Sequence, residues 1–352
     1  MAMSLDEFLE EWNNPSETVL VHTSGSTGTP KPVRVEKSRM LASARRTNDF
    51  LGLREGDTAL LCMSLDFIAG KMMVVRALER HLHLICVEPS GHPLQTLGDG
   101  SFLFDCLSYP LVKQKRTVPE CLDISFAAMV PLQVYNSLQV PEERERLMQI
   151  RHLIIGGGAV DDALAEQLKD FPNAVWSTYG MTETLSHIAL RRLNGPEASL
   201  WYTPFPSVSL SLSSDSCLVI DAPEVCPERL VTNDIAELSP DYRFRILGRK
   251  DNIICSGGIK IQAEELERQL RPLLHLPFII TKCPDEKFGE IVVLLTEGST
   301  DKARQFCERI LPKFHQPRVY LHVSHIPLTT TGKPARHEAE QLVSELVQCH
   351  NQ

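Results

Sequence analysis

The sequence lacks the features that mark several classes of protein. Its ten cysteines are scattered and no two form a Cys-x-x-Cys pair, so a zinc site has no sequence support. Basic residues (36) are outnumbered by acidic ones (45), and the net charge of -9 argues against a nucleic-acid backbone as a partner. No apolar run reaches the ~18 residues of a membrane span, and the acidic stretch Met1–Trp12 does not have the composition of a signal peptide. We therefore expect a cytoplasmic globular protein with reduced cysteines and no membrane span.

The first two-thirds of the chain alternates short apolar runs with longer helical patterns. This rhythm predicts an α/β fold, in which a largely parallel sheet is covered by helices. The predicted strands are Thr18–His22, Thr58–Cys62, His83–Val87, His152–Ile155 and Ala174–Thr178, and the predicted helices are Lys37–Leu51, Gly70–Arg80 and Asp161–Lys169.

The pattern changes after Ser207 to short strands separated by polar turns, which predicts a smaller β-rich subdomain. A domain boundary is expected near residues 248–252, giving an N-terminal domain of residues 1–248 and a compact α+β domain of residues 249–352. The elements predicted in this part are strands at Ser209–Leu212, Cys217–Ile220, Ala236–Leu238, Phe244–Leu247, Phe278–Lys282, Ile291–Leu295 and Val319–His322, and helices at Ala263–Leu270 and Lys302–Leu311.

The strongest chemical signal is the segment Thr23–Lys31 (TSGSTGTPK), which directly follows a predicted strand. Its two glycines allow backbone amides to approach an anion, while its hydroxyls and Lys31 add donors and charge. The spacing is not that of a Walker phosphate loop, because Pro30 occupies the position of the second glycine. Taken alone, the segment could equally be a flexible surface linker.

Two later segments also carry groups suited to binding a phosphate-containing ligand. Tyr179–Glu183 (YGMTE) follows a predicted strand, and offers a ring for a purine, a hydroxyl for a phosphate and a carboxylate for Mg²⁺. A Thr-Glu pair before a helix is also a common capping arrangement. The segment Gly248–Ile261 combines charged residues with a glycine turn, and its alternative interpretation is an interdomain linker followed by a hairpin.

Together and in this order, these segments resemble the adenylate-forming superfamily of acyl-CoA synthetases, luciferases and adenylation domains. Thr232–Asp234 and Thr329–Pro334 complete the resemblance, which extends from about Val19 to Arg336. It implies a large N-terminal α/β domain, a mobile C-terminal lid, and an enzyme that uses ATP, Mg²⁺ and coenzyme A to activate a small carboxylic acid. The first motif begins already at Thr23, which implies a shortened N-terminal part.

The resemblance also implies a role for individual residues. The triphosphate would contact Thr23, Ser24, Gly25, Ser26, Thr27, Gly28 and Lys31. Adenine would lie at Gly158 and Ala159 beside Tyr179, and the ribose at Asp234 and Arg249. Thr182 would contact the α-phosphate and Glu183 would hold the metal. Lys333 would bridge the acid and the α-phosphate, Asp251 would be the hinge, and Gly257, Gly258 and Lys260 would face CoA.

The identity of the acid rests on fewer residues. Met129–Gln133 and Gly180–Ser186 are similar to segments of o-succinylbenzoate–CoA ligases of menaquinone synthesis. That substrate has a second carboxylate, which needs a cation and hydrogen-bond donors. Candidates are Lys71, Arg76, Ser186 and His187, although each could instead be an ordinary structural residue. Other aryl- or short-chain acid–CoA ligases, and a non-catalytic acyl-adenylate-binding relative, remain alternatives.

Overall fold

The computed structural model describes residues 3–22, 32–95, 97, 101–106, 115–117, 123–328 and 334–350. The helices within these ranges are α1 (Leu5–Asn13), α2 (Lys37–Leu51), α3 (Ile68–Arg80), α4 (Pro131–Gln139), α5 (Pro141–Gln149), α6 (Asp162–Leu168), α7 (Ala263–Leu270), α8 (Thr300–Ile310) and α9 (Arg336–His350). The strands of the first half are β1 (Thr18–His22), β2 (Pro32–Glu36), β3 (Thr58–Leu61), β4 (His83–Cys86), β5 (Phe102–Asp105), β6 (Lys115–Thr117), β7 (Phe126–Met129), β8 (His152–Ile155) and β9 (Ala174–Gly180). Those of the second half are β10 (His187–Arg192), β11 (Thr203–Pro204), β12 (Ser209–Leu212), β13 (Cys217–Asp221), β14 (Leu230–Leu238), β15 (Phe244–Arg249), β16 (Ile253–Ser256), β17 (Ile259–Gln262), β18 (Phe278–Asp285), β19 (Gly289–Thr296) and β20 (Val319–His322).

A nine-stranded sheet in the order β11-β10-β9-β8-β7-β3-β4-β5-β6 forms the centre of the first part of the chain. Its five middle strands, β9, β8, β7, β3 and β4, run parallel, and β10 and β5 pair antiparallel on their two sides. The outermost strands β11 and β6 are antiparallel in turn to β10 and β5. The middle strands are short and almost wholly buried, as expected for parallel strands covered on both faces. The α/β class is confirmed, and the carboxyl ends of β8 and β9 bring the second motif beside the glycine turn at residues 156–158.

The N-terminal helix α1 was not among the predicted elements. Ser4 caps it through a capping box with Glu7, and its apolar residues Phe8 and Leu9 are fully buried. The acidic, amphipathic composition of the first residues is therefore the signature of a packed surface helix.

The C-terminal part contains a sheet in which β17-β16-β19-β18 are neighbours and β20 pairs with β19. Helices α7 and α8 pack on one apolar cluster of this sheet and α9 on another. The glycine turn of the third motif connects β16 to β17, so the predicted hairpin is present.

Contacts divide the chain into two compact units. One comprises residues 1–210, 220–230 and 239–244, and the other residues 211–219, 231–238 and 245–352. The boundary at residue 248 stays a prediction.

No helix among the described residues is long and apolar enough to cross a membrane. The same residues contain no cluster of histidine, cysteine, aspartate and glutamate suited to a metal ion. Eight described cysteines are free thiols, and all but Cys255 are buried.

Candidate active site

The predicted triphosphate segment lies between two paired strands. Strands β1 and β2 form an antiparallel ladder in which His22 is opposite Pro32. Residues 23–31, which carry every predicted triphosphate contact (Thr23, Ser24, Gly25, Ser26, Thr27, Gly28 and Lys31), lie outside the described residues. The strand ends that flank the segment are thus fixed next to each other.

The predicted adenine site lies at the carboxyl ends of β8 and β9. Gly158 and Ala159 follow β8 in an irregular turn, and Tyr179 is the penultimate residue of the neighbouring β9. The Tyr179 ring is half-buried and packs edge-on against Phe244, with 5.1 Å between ring centroids, and lies 5.9 Å from Tyr202. The orientation of this ring is therefore set by two aromatic neighbours, and part of its surface stays accessible to a planar ligand.

Glu183 occupies the middle of the short 3₁₀ helix Thr182–Thr184, directly after β9. Thr184, not Glu183, satisfies the local backbone, because its Oγ1 accepts from the Met181 N–H at 3.1 Å and donates to the Ser186 carbonyl at 2.7 Å. Thr182 is buried and Glu183 is exposed, with no ion pair to any described residue. The capping contacts are thus made by Thr184, and the assignment of Glu183 to Mg²⁺ stays a prediction.

Three of the four predicted acid-binding residues come together. The guanidinium of Arg76, on α3, donates from Nη2 to Ser186 Oγ at 2.6 Å, and Ser186 Oγ lies 3.3 Å from His187 Nδ1. On its other side, His187 Nε2 lies 3.0 Å from Thr47 Oγ1, and Thr47 lies 3.3 Å from the Ser43 carbonyl. These contacts join α2, α3 and the segment between β9 and β10 into one buried polar group.

The direction of these hydrogen bonds follows from the first and last groups in the series, Arg76 and the Ser43 carbonyl. Arg76 can only donate, and the Ser43 carbonyl can only accept. Ser186 therefore donates to His187 Nδ1, and His187 donates from Nε2 to Thr47. Burial and the nearby charge of Arg76 hold the pKa of His187 well below its usual range, so its imidazole is neutral in this arrangement.

Arg76 is the most unusual member of this group because it is 2 % exposed and forms no ion pair with a described carboxylate. Its Nε has no hydrogen-bond partner among the described residues, and burial lowers the pKa of Arg76 to about 9. A buried cation with spare donors is a ready binding point for an anion.

Lys71 lies apart from this group, and its assignment as the reserve acid ligand stays a prediction. It is equally buried, but its Nζ donates to the Leu20 carbonyl at 2.6 Å and lies 3.7 Å from Glu11. Positions 71 and 76 are five residues apart, about 140° around a helix, so their side chains leave α3 in different directions.

In the second unit, the predicted ribose pair is in contact. Arg249 Nη1 lies 3.2 Å from Asp234, and its Nη2 lies 3.2 Å from Asp251, the predicted hinge residue. Asn233 also donates to Asp251 at 3.2 Å. A single arginine therefore links the predicted ribose site to the predicted hinge, a connection that the motifs did not reveal.

The turn predicted to face CoA is built by two glycines with positive φ, Gly257 (58°) and Gly258 (85°), between β16 and β17. A Cβ at Gly257 would lie 3.2 Å from the Phe288 ring, and the Gly257 N–H donates to the Phe288 carbonyl at 2.8 Å. Lys260 is exposed opposite Cys255. The turn thus requires glycine for both conformation and space.

Lys333 lies outside the described residues, but the chain after it is firmly attached. Arg336 forms a double ion pair with Glu267, with Nη–Oε distances of 2.7 and 3.1 Å, and donates to the Ile280 carbonyl at 3.0 Å. Arg336 was not among the predicted site residues. Its position at the start of α9 makes it an anchor for the chain that follows Lys333.

Residues 5–229 match the AMP-binding enzyme family, and the chain belongs to that family. A solved relative, the acyl-CoA synthetase (AMP-forming)/AMP-acid ligase II-like protein of Dyadobacter fermentans DSM 18053, is 31% identical, with a TM-score of 0.61 over 96% of this chain and 93% of its own. The chain is accordingly an AMP-forming acid–CoA ligase.

More distant relatives are also similar. The 2-succinylbenzoate–CoA ligase of Bacillus thuringiensis subsp. konkukian (strain 97-27) is 24% identical over 96% of this chain and 72% of its own length. O-succinylbenzoate coenzyme A synthetase (MenE) from Bacillus subtilis, solved with ATP and magnesium ion, is 20% identical, with a TM-score of 0.70 over 91% of this chain and 69% of its own. This last likeness shows a shared fold.

Proposed function

We propose that this ligase activates o-succinylbenzoate and transfers its acyl group to CoA, as a step of menaquinone synthesis in the cytoplasm. The 2-succinylbenzoate–CoA ligases among its relatives support this substrate. The observation that carries the proposal is the buried guanidinium of Arg76, which has no carboxylate partner among the described residues.

A dicarboxylic acid suits this guanidinium. One carboxylate must reach the triphosphate, while the other must leave water and find a fixed positive partner. Arg76 can offer two parallel N–H groups to that distal carboxylate, and Ser186 and the neutral His187 supply polar contacts without adding a second charge. An acid with a single carboxylate would leave Arg76 buried and unpaired.

The first half-reaction follows from the roles assigned above. An oxygen of the reacting carboxylate attacks the α-phosphorus of ATP, the bond from that phosphorus to the bridging oxygen breaks, and pyrophosphate leaves. Lys31 and Lys333 offset the repulsion between the approaching anions, and Thr182 holds the α-phosphate. Mg²⁺, held by Glu183, would supply positive charge to the phosphate oxygens.

In the second half-reaction, the CoA sulfur attacks the acyl carbon and AMP leaves as the acyl–phosphate bond breaks. We assign residues 249–352 the role of a lid that turns at Asp251, withdrawing Lys333 and presenting Gly257, Gly258 and Lys260 to CoA. Asp234 and Arg249 would hold the ribose in both stages, and Tyr179, Gly158 and Ala159 the adenine.

The test is a pyrophosphate-release assay over a panel of acids, with and without CoA. We expect o-succinylbenzoate to give the largest specificity constant, and CoA to convert the single turnover of bound adenylate into continuous release. Benzoate and short-chain acids serve as controls. Preference for one of these acids would replace the substrate while leaving the ligase chemistry intact, whereas no release with any acid would support a non-catalytic acyl-adenylate-binding protein.

A further inference from the structure

The ammonium of Lys71 is buried, where loss of hydration makes a charged group costly in free energy. It is 2 % exposed on α3, it donates to the Leu20 carbonyl at 2.6 Å, and it lies 5.6 Å from the centre of the Phe8 ring. Burial lowers the pKa of Lys71, and the nearby carboxylate of Glu11 opposes this effect. The charge therefore depends on its two partners, one in the strand β1 and one in the helix α1.

Glu11 contacts the other polar backbone group of Leu20, its N–H. Its Oε1 accepts from the Leu20 N–H at 2.8 Å, while its Oε2 is the atom near Lys71 Nζ. Both polar backbone groups of Leu20 are thus satisfied by side chains, although Leu20 lies opposite Arg34 in the β1–β2 ladder. The outer edge of β1 is closed by a lysine and a glutamate instead of by a third strand.

This edge matters because β1 and β2 form a two-stranded sheet, and such hairpins are only marginally stable alone. Leu20 stands three positions before Thr23, where the predicted triphosphate segment begins. The end of β1 that leads into that segment is therefore held by α1 and α3.

Helix α3 also carries Arg76, on a different side from Lys71. The same rigid helix thus contacts the strand that leads into the predicted triphosphate segment and supports the proposed acid-binding cation. We infer that Lys71, together with Glu11, is a positioning residue that sets the strand β1 at a fixed distance from the acid site. This inference rests on the proposed role of residues 23–31 in binding ATP.

The experiment compares Michaelis constants in the pyrophosphate-exchange reaction for wild type and for Lys71→Met, which keeps the length of the side chain but removes its charge. Loss of a charged hydrogen bond that fixes β1 should raise the KM for ATP about tenfold or more. The KM for the acid should change less than about twofold, because Arg76 keeps its own contacts. Glu11→Gln keeps an acceptor for the Leu20 N–H and should give a smaller rise in the same constant.

Arg80→Met is the matched control, because Arg80 lies on the same helix and also donates to a backbone carbonyl, that of Leu53, at 2.9 Å. It should lower the thermal midpoint without changing the KM for ATP. A fall in the thermal midpoint of Lys71→Met with an unchanged KM for ATP would overturn the inference and leave Lys71 as a purely structural ion pair. If Lys71→Met does not fold, the ratio of the two Michaelis constants in Glu11→Gln decides in the same way.

Lys31→Ala separates this inference from the proposed function. If Lys31→Ala leaves the KM for ATP unchanged, the assignment of residues 23–31 to ATP is wrong. If it raises that constant and Lys71→Met does not, only the positioning role of Lys71 is wrong.

Discussion

Arg76 and Arg249 show two different uses of the same side chain. Arg76 is fully buried in the first unit and meets a serine hydroxyl, with no described carboxylate to neutralise it. Arg249, in the second unit, is 38% exposed in its side chain and touches two carboxylates, Asp234 and Asp251, at 3.2 Å each. The positive charge of Arg76 has no neutralising carboxylate among the described residues, whereas two carboxylates neutralise that of Arg249.

The difference indicates what each arginine can do. A neutralised, partly solvated guanidinium gains little electrostatic energy from a further anion, so Arg249 suits hydrogen bonding to the neutral hydroxyls of a ribose. A desolvated, unpaired guanidinium gains a great deal, so Arg76 suits a charged group of the acid. The two sites should therefore respond differently when the acid is changed.

The largest effect is expected from Arg76→Ala. Removing this cation should lower the specificity constant for o-succinylbenzoate, since the distal carboxylate would be buried without a partner. The expected loss of transition-state stabilisation is roughly 2–5 kcal/mol. The measurement is the ratio of specificity constants for o-succinylbenzoate and benzoate in wild type and variant. Arg80→Ala, at the C-terminal end of the same helix, should leave this ratio unchanged, and a constant ratio in Arg76→Ala would show that the acid is recognised elsewhere.

A smaller and more general effect is expected from Arg249→Ala. Loss of its hydrogen bonds to ATP should cost about 1.5–3 kcal/mol, seen as a higher KM for ATP. Because Arg249 is assigned to the nucleotide, the increase should be the same with o-succinylbenzoate as with benzoate. An increase that depends on the acid would contradict the division of labour between the two arginines.

The neutral His187 predicts a pH dependence of stability. Its pKa is lowered in the folded state by burial and by Arg76, so its contribution is fully present above the ordinary histidine value and is lost as the pH falls. Between pH 6.5 and 5 the unfolded chain takes up a proton that the folded protein does not, which costs at most about 2 kcal/mol. Urea unfolding at both pH values checks this.

The matched variant is His187→Gln, which cannot take up that proton. Its free energy of unfolding should fall less between the two pH values than that of wild type. Equal losses would mean that other groups, such as the half-buried His152, account for the dependence.

The smallest effect should come from Asp251→Asn. The pair Arg249–Asp251 is solvent-exposed, with 38% and 52% of the two side chains accessible, so its loss should change the free energy of unfolding by no more than about 0.5 kcal/mol. Equilibrium denaturation in urea would measure this. A loss above about 1 kcal/mol would indicate that Asp251 is a structural anchor and not a hinge.

Sequence reasoning succeeded where a local pattern determines the structure. The strands Thr18–His22 and His152–Ile155 and the helix Lys37–Leu51 have the predicted bounds, because each is an apolar or periodic run that ends at a polar break. Helix periodicity also separated Lys71 from Arg76 correctly. Helix α1 was missed because its three buried residues, Leu5, Phe8 and Leu9, stand among many acidic ones.

The site itself could be predicted only in part. Arg76 and Ser186 were both proposed as acid ligands, but 110 positions separate them, and their contact depends on the tertiary packing that brings α3 to the segment between β9 and β10. The contact of Arg249 with Asp234 has the same origin, since it depends on the pairing of β14 with β15. Long-range contacts of this kind leave no trace in local periodicity.

The directed hydrogen-bond chain from Arg76 through Ser186, His187 and Thr47 to the Ser43 carbonyl has a consequence for the evolution of this enzyme. Each interior member both receives and passes on a hydrogen bond, so replacing one of them leaves a buried neighbour unsatisfied. Arg76 is the first donor of this series. An apolar residue at position 76 would therefore remove the hydrogen bond to one group only, the Ser186 hydroxyl. Divergence towards acids without a second carboxylate therefore has an accessible first step at position 76, while the interior positions are constrained together.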